Sequence, residues 1–437
     1  MKLQGTMKIN DKDHLEIGGC DTVALAKEFG TPLVVIDEGY LTSICEDYFT
    51  AFTAKEKSLV LYASKAFLTP SILAIINKNG MGLDTVSGGE LYMARKSGFP
   101  MDKVFFHGNN KTAEEIMQAI EYGVARIVLD NHYEIDFVNK IAKDLNTKPD
   151  VLLRITPGID AHTHDFIKTG HIDSKFGFTL QTGDAMEGVK KVVDSEFLNF
   201  KGLHCHIGSQ IFGTESFTHA VDVMMNFIKD INNTVGVEVE DLDIGGGRGI
   251  YYTKGDDPTS IENYSKAIFS QLKAKTSELS LNMPKIYIEP GRSIIGPCGT
   301  NLYKVGSIKD IPGIRKYVAV DGGMSDNIRP ALYGAKYEVG IASRMNDAKD
   351  LEKITISGKL CESGDILARD VVLGKVISGD ILAMTSTGAY GYSMASNYNM
   401  IGKPAVIFVK NGNSDLVIKR QSYEDLLSSH IMLERLK

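Results

Sequence analysis

Charged and polar side chains stand at the ends of short apolar runs along the first two thirds of the chain. Lys65 directly follows the run SLVLYA, Asp84 lies within GLDTV, and Glu289 follows KIYI. Because parallel strands converge at their carboxyl ends, a lysine in this position lies in a cleft, where a lowered pKa makes its amine nucleophilic. The alternative for Lys65 is a surface lysine whose stem lies along apolar surface.

The other strand ends match the needs of one phosphorylated aromatic aldehyde. Backbone amides of the triple-glycine turn and of Gly291 can approach a phosphate closely. The His206 imidazole can stack on an aromatic ring, the Glu289 carboxylate can keep a ring nitrogen protonated, and the Lys65 amine can bind the aldehyde. These requirements together are those of pyridoxal 5′-phosphate. The strand-end residues that carry this argument are Lys65, Asp84, His107, His206, Gly245, Gly246, Gly247 and Glu289.

Composition narrows the class of protein. The 437 residues are 43% hydrophobic and 24% charged, which supports a large core, and the net charge of −7 without a dense basic stretch argues against a nucleic-acid partner. The five cysteines include no pair at CxxC spacing, which predicts neither a disulfide framework nor a structural metal site. No signal peptide and no apolar run of about 18 residues is evident. We therefore expect a cytoplasmic protein with no membrane partner.

The elements that position these residues alternate between β-rich runs and helical segments, which is typical of a parallel sheet. The segment TAEEIMQAIEYG, for example, places Thr112 and Glu115 at capping-box spacing and ends at Gly123. Eight runs close a (β/α)8 barrel. They are residues 58–63, 82–86, 104–108, 126–130, 151–157, 202–208, 241–246 and 285–290.

The remainder of the chain predicts a second, mostly β domain. After residue 294 the runs KYVAVDGG, EKITISGKL, GDILAMTSTGAY and PAVIFVKNGNSDLVIKR follow one another without intervening helices. The early run LVVIDE, residues 33–38, is predicted to join this domain. The fold class is therefore α/β, with a TIM-type barrel over 37–294 that binds the cofactor and a second, mostly β domain over 1–36 plus 295–437.

The sequence resembles the diaminopimelate decarboxylases, within the fold-type III pyridoxal-phosphate enzymes that also include ornithine and arginine decarboxylases. The resemblance covers nearly the whole chain. It is carried by the blocks YASKA, GLDTVSGGELYMA, HGNNK, THDFIKTGHIDSKFGF, GLHCHIGSQ, LDIGGGRGI, EPGRS, RPALYGAKYE, CESGD and GAYGYSMASNYN.

The resemblance implies decarboxylation of meso-diaminopimelate to L-lysine by a homodimer with shared active sites. Lys65 would hold the cofactor, and Cys361 would return a proton to the substrate carbon from the partner subunit. The implied cofactor contacts are Lys65, Asp84, His206, Ser209, Gly245, Gly246, Gly247, Glu289, Pro290, Gly291, Arg292 and Tyr390. The implied substrate contacts are Arg292, Arg329, Tyr333, Glu362 and Tyr390. Tyr337 stands where relatives often carry His.

Two other classes of protein compete with this interpretation. The pairs His204 with His206 and His162 with His164 have the i, i+2 spacing that can place two imidazoles on one face of a strand, as in metal-dependent hydrolases. The triple-glycine turn offers no side chain that could bind a metal, and a metal site would leave Lys65 without a role. No metal is therefore expected. Cofactor-holding proteins without turnover lack a β-domain, the lysine or the cysteine, whereas this chain has all three.

Glu289 bears on the reaction type. A protonated pyridine nitrogen makes the ring a strong electron sink, which suits loss of CO2, whereas related racemases place Arg at that nitrogen. Cys361 lies in a charged turn, which favours a chemical role over that of a small buried hydrophobe, and the other four cysteines are predicted to be structural. The alternative substrate is another basic amino acid, as in the ornithine and arginine decarboxylases.

Overall fold

The structure is a computed structural model that describes residues 1–159, 173–346 and 350–437. It divides into two compact units. The barrel unit comprises Ser43–Ile250 and Asp256–Ile294, and the β unit comprises Met1–Thr42, Tyr251–Gly255 and Ile295–Lys437. No helix among the described residues combines the length and apolar character needed to cross a bilayer.

The strands are numbered in chain order. They are β1 (Lys8–Ile9), β2 (Leu15–Ile17), β3 (Cys20–Asp21), β4 (Leu33–Asp37), β5 (Ser58–Ala63), β6 (Gly82–Thr85), β7 (Val104–Phe106), β8 (Arg126–Leu129), β9 (Asp150–Thr156), β10 (Phe178–Thr179), β11 (Asn199–Cys205), β12 (Asp241–Asp243), β13 (Lys285–Ile288), β14 (Gly299–Ile311), β15 (Arg315–Val320), β16 (Val339–Ile341), β17 (Glu352–Ser357), β18 (Ile366–Leu373), β19 (Ile381–Thr385), β20 (Ala405–Lys410) and β21 (Asn413–Ile418).

The helices are numbered in the same way. They are α1 (Thr22–Phe29), α2 (Glu38–Tyr48), α3 (Pro70–Lys78), α4 (Gly88–Lys96), α5 (Ala113–Tyr122), α6 (His132–Asp144), α7 (Asp184–Val193), α8 (Glu215–Val235), α9 (Ile261–Leu279), α10 (Arg292–Ile295), α11 (Arg329–Tyr333) and α12 (Tyr423–Leu427). One π-turn (Phe49–Thr53) and several 3₁₀ turns, including Ser64–Ala66, complete the described elements.

The predicted barrel is confirmed. Strands β5, β6, β7, β8, β9, β11, β12 and β13 pair in parallel in that circular order, and pairing of β8 with β9 and of β13 with β5 closes the ring. Several strands end two or three residues before the predicted runs, because glycine, histidine and proline at their carboxyl ends leave the ladder as loops. Side chains from five strands form one buried cluster: Leu61, Phe105, Val128, Leu152 and Tyr287.

The helix boundaries have local causes. Helix α5 begins with the predicted capping box, in which the Thr112 side chain accepts from the Glu115 backbone and the Glu115 side chain accepts from the Thr112 backbone. It ends at Gly123, whose φ of 72° is a left-handed conformation that glycine adopts without strain. Helices α3 and α4 have Thr69 and Ser87 as their N-caps.

The β unit confirms the prediction that the early run joins the second domain. Strand β4 pairs antiparallel with β14 and parallel with β20, which places the first 42 residues in this unit. Strands β20 and β21 are joined by Asn411 and Gly412, both with positive φ, as the hairpin turn requires. Strands β14 and β18 were not predicted, because their sequences mix glycine, lysine and other charged residues with apolar ones.

Candidate active site

The carboxyl ends of the barrel strands are tied to one another beyond the regular ladder. The His107 amide donates to the Thr85 carbonyl at 2.8 Å, and the Glu289 amide donates to the Gly245 carbonyl at 2.9 Å. The Ala63 amide donates to the Pro290 carbonyl at 3.3 Å. These bonds hold the chemical side chains at fixed positions around one mouth of the barrel.

Lys65 lies in the 3₁₀ turn that directly follows β5, between the buried residues Ser64 and Ala66. Its side chain is 46% exposed, and its Nζ is 3.5 Å from Oδ2 of the buried Asp84. The Lys65 amine therefore lies beside a buried carboxylate, while nearly half of the lysine side chain is exposed to solvent.

Two imidazoles surround the Glu289 carboxylate. Nε2 of His107 is 2.6 Å from one Glu289 oxygen and Nε2 of His204 is 3.3 Å from the other. Nε2 of His107 also lies 3.7 Å from Asp84, and the two imidazole rings meet edge to face at 4.8 Å. We call Lys65, Asp84, His107, His204 and Glu289 the barrel-mouth cluster.

Burial and mutual contact set the protonation of this cluster. Burial alone would raise the pKa of Glu289, but the adjacent His107 and His204 outweigh it and hold that pKa well below its usual value. Burial lowers the pKa of His204 to about 4. Burial also raises the pKa of Asp84, and the positive charge of Lys65 opposes that rise. Glu289 therefore stays an anion in a nearly dry environment.

His206 lies against the glycine turn that follows β12. Its Nδ1 is 2.9 Å from the position that a Cβ on Gly245 would occupy, so the imidazole and this turn are in close contact. Burial and the charges of Lys65 and Arg154 lower the pKa of His206 well below its usual value. The ring is thus neutral near pH 7, which suits stacking on a neutral aromatic face.

The glycine turn could not be built from other residues. A Cβ on Gly246 would come within 2.2 Å of the Glu289 carbonyl, and one on Gly247 within 2.5 Å of the Gly208 carbonyl. Gly247 also has a φ of +123°, which other residues rarely adopt. Gly291 is also closely packed, with Ala63 Cβ 2.9 Å from the position that a Cβ on Gly291 would occupy.

The loop after β11 is joined to this glycine turn. The Ile211 amide donates to the Gly247 carbonyl at 3.0 Å, and Gln210 exchanges side-chain hydrogen bonds with the Ile250 backbone. Ser209 Oγ accepts from Nε and Nη2 of the buried Arg292 at 3.1 and 2.9 Å. Backbone amides, a hydroxyl and a guanidinium are therefore gathered beside the barrel-mouth cluster, as an anionic group would need.

These residues fit pyridoxal phosphate on structural grounds. The turn is built from glycines whose backbone packs too closely for any side chain, and Oδ1 of the buried Asp84 has no hydrogen-bond partner among the described residues. His107, His204 and Glu289 also offer ligand atoms within 4.8 Å of one another, a spacing that a divalent metal could use. A metal there would give no role to Lys65 or to the glycine cradle. The His204 and His206 pair of the rival metal hypothesis is not brought together as ligands, because His204 contacts Glu289 and His206 contacts the turn.

Sequence reasoning missed two cations of the barrel unit, the buried Lys111 and the partly buried Arg154. Lys111 donates to the carbonyls of Gly108 and Val128, both at 2.6 Å, and pairs with Glu134 at 2.9 Å, which fixes the loop that begins at His107. Arg154 stacks on the Phe176 ring at 4.2 Å. The signal for Arg154 is a charged residue inside the otherwise apolar run VLLRITP.

The β unit holds a separate cluster. Arg329 begins α11 and is 7% exposed, and four tyrosine rings surround its guanidinium. We call this group the tyrosine cage: Tyr252, Tyr333, Tyr337 and Tyr390, at 5.3, 5.9, 5.8 and 6.0 Å from the guanidinium carbon. Tyr390 has a φ of +59°, a strained conformation for a tyrosine.

Cys361 and Glu362 lie in an exposed turn between β17 and β18. The Cys361 amide donates to Asn399 Oδ1 at 2.9 Å, and Asp365 accepts from the amides of Met324 and Leu360. The other four cysteines, Cys20, Cys45, Cys205 and Cys298, are buried and free. Burial raises the pKa of Cys45 to about 12, so that thiol is inert, whereas Cys361 is open to solvent. The His162 and His164 pair lies outside the described residues.

Comparisons with known proteins bear on both clusters. Residues 41–296 match the family model described as the pyridoxal-dependent decarboxylase, pyridoxal binding domain. The chain is 50% identical to the diaminopimelate decarboxylase of Bacillus methanolicus over 96% of this chain and 98% of that one. It is 48% identical to that of Bacillus subtilis, covering 98% and 97%. A crystal structure of the diaminopimelate decarboxylase from M. jannaschii with L-lysine has a TM-score of 0.92, at 37% identity and 99% coverage of both chains.

Proposed function

The chain belongs to the diaminopimelate decarboxylase family, and from this premise we propose which of its residues carry out each part of the family's reaction. The enzyme is a carboxy-lyase that uses pyridoxal phosphate to remove CO2 from meso-diaminopimelate and release L-lysine. When bound, pyridoxal phosphate supplies an aldehyde that captures amines and a protonated ring that accepts the electron pair left as CO2 departs.

The barrel-mouth cluster would hold the reactive part of the cofactor. Lys65 would bind the aldehyde, and Asp84, whose Oδ2 is 3.5 Å from the Lys65 Nζ, would position that amine. Glu289, kept anionic by His107 and His204, would keep a proton on the ring nitrogen, because a buried carboxylate stabilises an adjacent cation strongly. His206, neutral at pH 7, would stack on the ring.

The anionic end of the cofactor would lie at the glycine turn. The amides of Gly246 and Gly247 would bind the phosphate together with Ser209 Oγ and the EPGR loop. Gly245 would shape the turn, because its amide already donates to Asp243 Oδ1 at 2.8 Å. In that loop Pro290 and Gly291 shape the backbone, and Arg292, hydrogen-bonded to Ser209, brings a positive charge. Tyr390 would contact both the cofactor and the substrate.

The observation that carries the substrate assignment is the unpaired charge in the tyrosine cage. Arg329 is buried, yet it forms no ion pair with a carboxylate of the described residues, and its hydrogen bonds go to Tyr252 and Tyr337. A buried guanidinium surrounded by neutral groups is a site for an anion. Diaminopimelate has a second carboxylate at its distal end, where Arg329 and Tyr333 would bind it and Glu362 would accept from the distal ammonium. Ornithine lacks that carboxylate.

We also propose that the enzyme is a homodimer whose sites are shared. Cys361 of the partner subunit would return a proton to the substrate carbon, and Glu362 of the partner subunit would contact the substrate. The exposure of the turn that carries both residues supports this role. Residues 37–294 would then bind the cofactor, and residues 1–36 plus 295–437 would dimerise. The five free cysteines suit a cytoplasmic enzyme.

A substrate panel tests the proposal. Purified protein loaded with pyridoxal phosphate is incubated separately with meso-diaminopimelate, ornithine, arginine and lysine, and CO2 and amine product are measured for each. We expect CO2 and lysine from meso-diaminopimelate at the highest kcat/KM. Preference for ornithine or arginine would place the enzyme among the decarboxylases of other basic amino acids and contradict the role given to Arg329.

A further inference from the structure

The guanidinium of Arg329 uses only one of its nitrogens within the β unit. Nη1 donates to the hydroxyl of Tyr252 at 3.0 Å and to the hydroxyl of Tyr337 at 2.6 Å, which employs both of its hydrogens. Among the described residues, the buried Nε has no hydrogen-bond partner and Nη2 donates to none. The unoccupied side of the guanidinium is therefore the edge formed by Nε and Nη2.

That edge has the geometry of a carboxylate. Nε–H and one Nη2–H of arginine are parallel, and they match the two oxygens of a carboxylate in a bidentate pair. If the terminal torsions of the Arg329 side chain could rotate freely, the Nε and Nη2 edge would face a bound carboxylate only part of the time. The two hydroxyls on Nη1 remove that freedom, because they hold the opposite side of the group.

The two tyrosines that hold Nη1 are themselves fixed. Tyr337 is 3% exposed, and its ring packs edge to face against Tyr252 at 5.3 Å. Beside them, the Tyr251 hydroxyl donates to Glu338 Oε1 at 2.7 Å, and the Ser386 hydroxyl donates to the Tyr251 carbonyl at 2.9 Å. The backbone next to each tyrosine is thus anchored to the rest of the unit.

We propose that Tyr337 and Tyr252 are positioning residues that determine specificity, because their hydroxyls aim the Nε and Nη2 edge of Arg329 at the distal carboxylate of the substrate. This inference rests on the proposed function, in which Arg329 binds that carboxylate. The same carboxylate is retained in L-lysine and is absent from 1,5-diaminopentane, which ends in an ammonium at both ends. A correctly aimed guanidinium should therefore favour L-lysine over the diamine.

The test measures this preference directly. Binding of L-lysine and of 1,5-diaminopentane to the holoenzyme is measured by calorimetry for the wild type, Tyr337→Phe and Tyr252→Phe. Tyr423→Phe serves as the matched control, since Tyr423 is 81% exposed on α12 and loses the same hydroxyl. We expect Tyr337→Phe to weaken L-lysine binding about 10-fold and to leave diamine binding within about twofold.

Kinetics provide the second measurement. Tyr337→Phe should raise KM for meso-diaminopimelate about 10-fold with kcat within about threefold, because the lost contact acts on bound substrate and transition state alike. If Tyr337→Phe weakens binding of L-lysine and of 1,5-diaminopentane equally, so that the ratio of their affinities is unchanged, the inference is overturned. If Tyr337→Phe fails to fold, Tyr252→Phe carries the same test on the other hydroxyl. A wild type that does not decarboxylate meso-diaminopimelate refutes the proposed function itself, whereas an active wild type with an unchanged variant refutes only this inference.

Discussion

The barrel-mouth cluster and the tyrosine cage solve opposite electrostatic problems. In the barrel, carboxylates and nitrogen bases face one another, with Glu289 between His107 and His204 and Asp84 beside Lys65. In the cage, a cation is surrounded by neutral aromatic rings and hydroxyls. The first arrangement largely balances its own charge, and the second leaves a charge to be balanced.

This difference indicates what each region does. A balanced cluster holds protonation states in place, which suits a site that must keep one anion and one amine ready for chemistry. An unbalanced buried cation gains most when an anion arrives, which suits recognition. Removing a residue from the first should therefore affect the reaction itself, and removing one from the second should affect the choice of ligand.

The largest effect is expected for Lys65→Ala. Without this amine the cofactor has no covalent link to the protein, so activity should fall by a factor of about 10⁴ or more. In the wild type, borohydride reduction followed by peptide mapping should label Lys65. Lys78→Ala, at an exposed position at the end of α3, is the control. Label on a different lysine, or none, would show that the barrel-mouth cluster has been assigned incorrectly.

Arg329→Ala should have the next largest effect. Loss of a carboxylate partner in a buried site costs about 2–5 kcal/mol, which is roughly 30-fold to several thousand-fold in kcat/KM for meso-diaminopimelate. The borohydride label on Lys65 should be unchanged, because Arg329 itself is proposed to contact the substrate and not the cofactor. A kinetically silent variant would remove the distinction between the two regions.

The sequence predicted the barrel well because its strands are short, mostly buried segments that alternate with helical segments, and glycine, proline or a polar residue stands at or next to their carboxyl ends. The predicted first run and β5 coincide at Ser58–Ala63. Strand β14 was missed because the more exposed half of this 13-residue strand mixes glycine, serine and charged residues with apolar ones, as a loop can. The side on which such a strand is buried depends on β4 and β19, which are distant in sequence.

Candidate residues at strand ends could be listed from the sequence, but their contacts could not. Nothing in the sequence pairs His204 with Glu289, 85 residues away, or Arg329 with Tyr252, 77 residues away. Those contacts follow from closure of the barrel and from the return of residues 251–255 to the β unit. Tyr337 was noted in the sequence only as a departure from the usual His, and its hydroxyl contact with Arg329 gives that departure a physical meaning.

Subunit mixing tests whether the exposed turn of the β unit serves the barrel of a second chain. Lys65→Ala and Cys361→Ala are each expected to be nearly inactive. Dissociation and reassociation of a 1:1 mixture should restore about a quarter of wild-type activity, because half of the dimers are mixed and each of these has one intact site. Demonstrated heterodimers with no gain in activity would show that each chain works alone.

The smallest effect expected is on stability, and the two units should show it with opposite sign. Burial lowers the pKa of His204 in the barrel to about 4, below the 6.5 of an exposed histidine. Its contribution to the free energy of unfolding is therefore complete above pH 6.5 and is lost as the pH falls towards 4. Asp326 in the β unit has its pKa raised to about 7 by burial, above its usual 3.8. Its contribution is complete below pH 3.8 and is lost as the pH rises through 7.

The variant Asp326→Asn tests the pH dependence of stability that is expected for the β unit. The carboxylate accepts from the Gly323 amide and from the Tyr303 hydroxyl, and an asparagine carbonyl can accept the same bonds without titrating. The thermal midpoint of the variant should therefore rise relative to the wild type between pH 5 and pH 8, by a few degrees, for a difference of about 2–3 kcal/mol in the free energy of unfolding. Asp310→Asn, at an exposed position of β14, should show no such trend. A midpoint difference for Asp326→Asn that stays constant with pH would mean that this buried carboxyl does not take up a proton on folding. The acid-sensitive histidine of the barrel would then have no counterpart of opposite sign in the β unit.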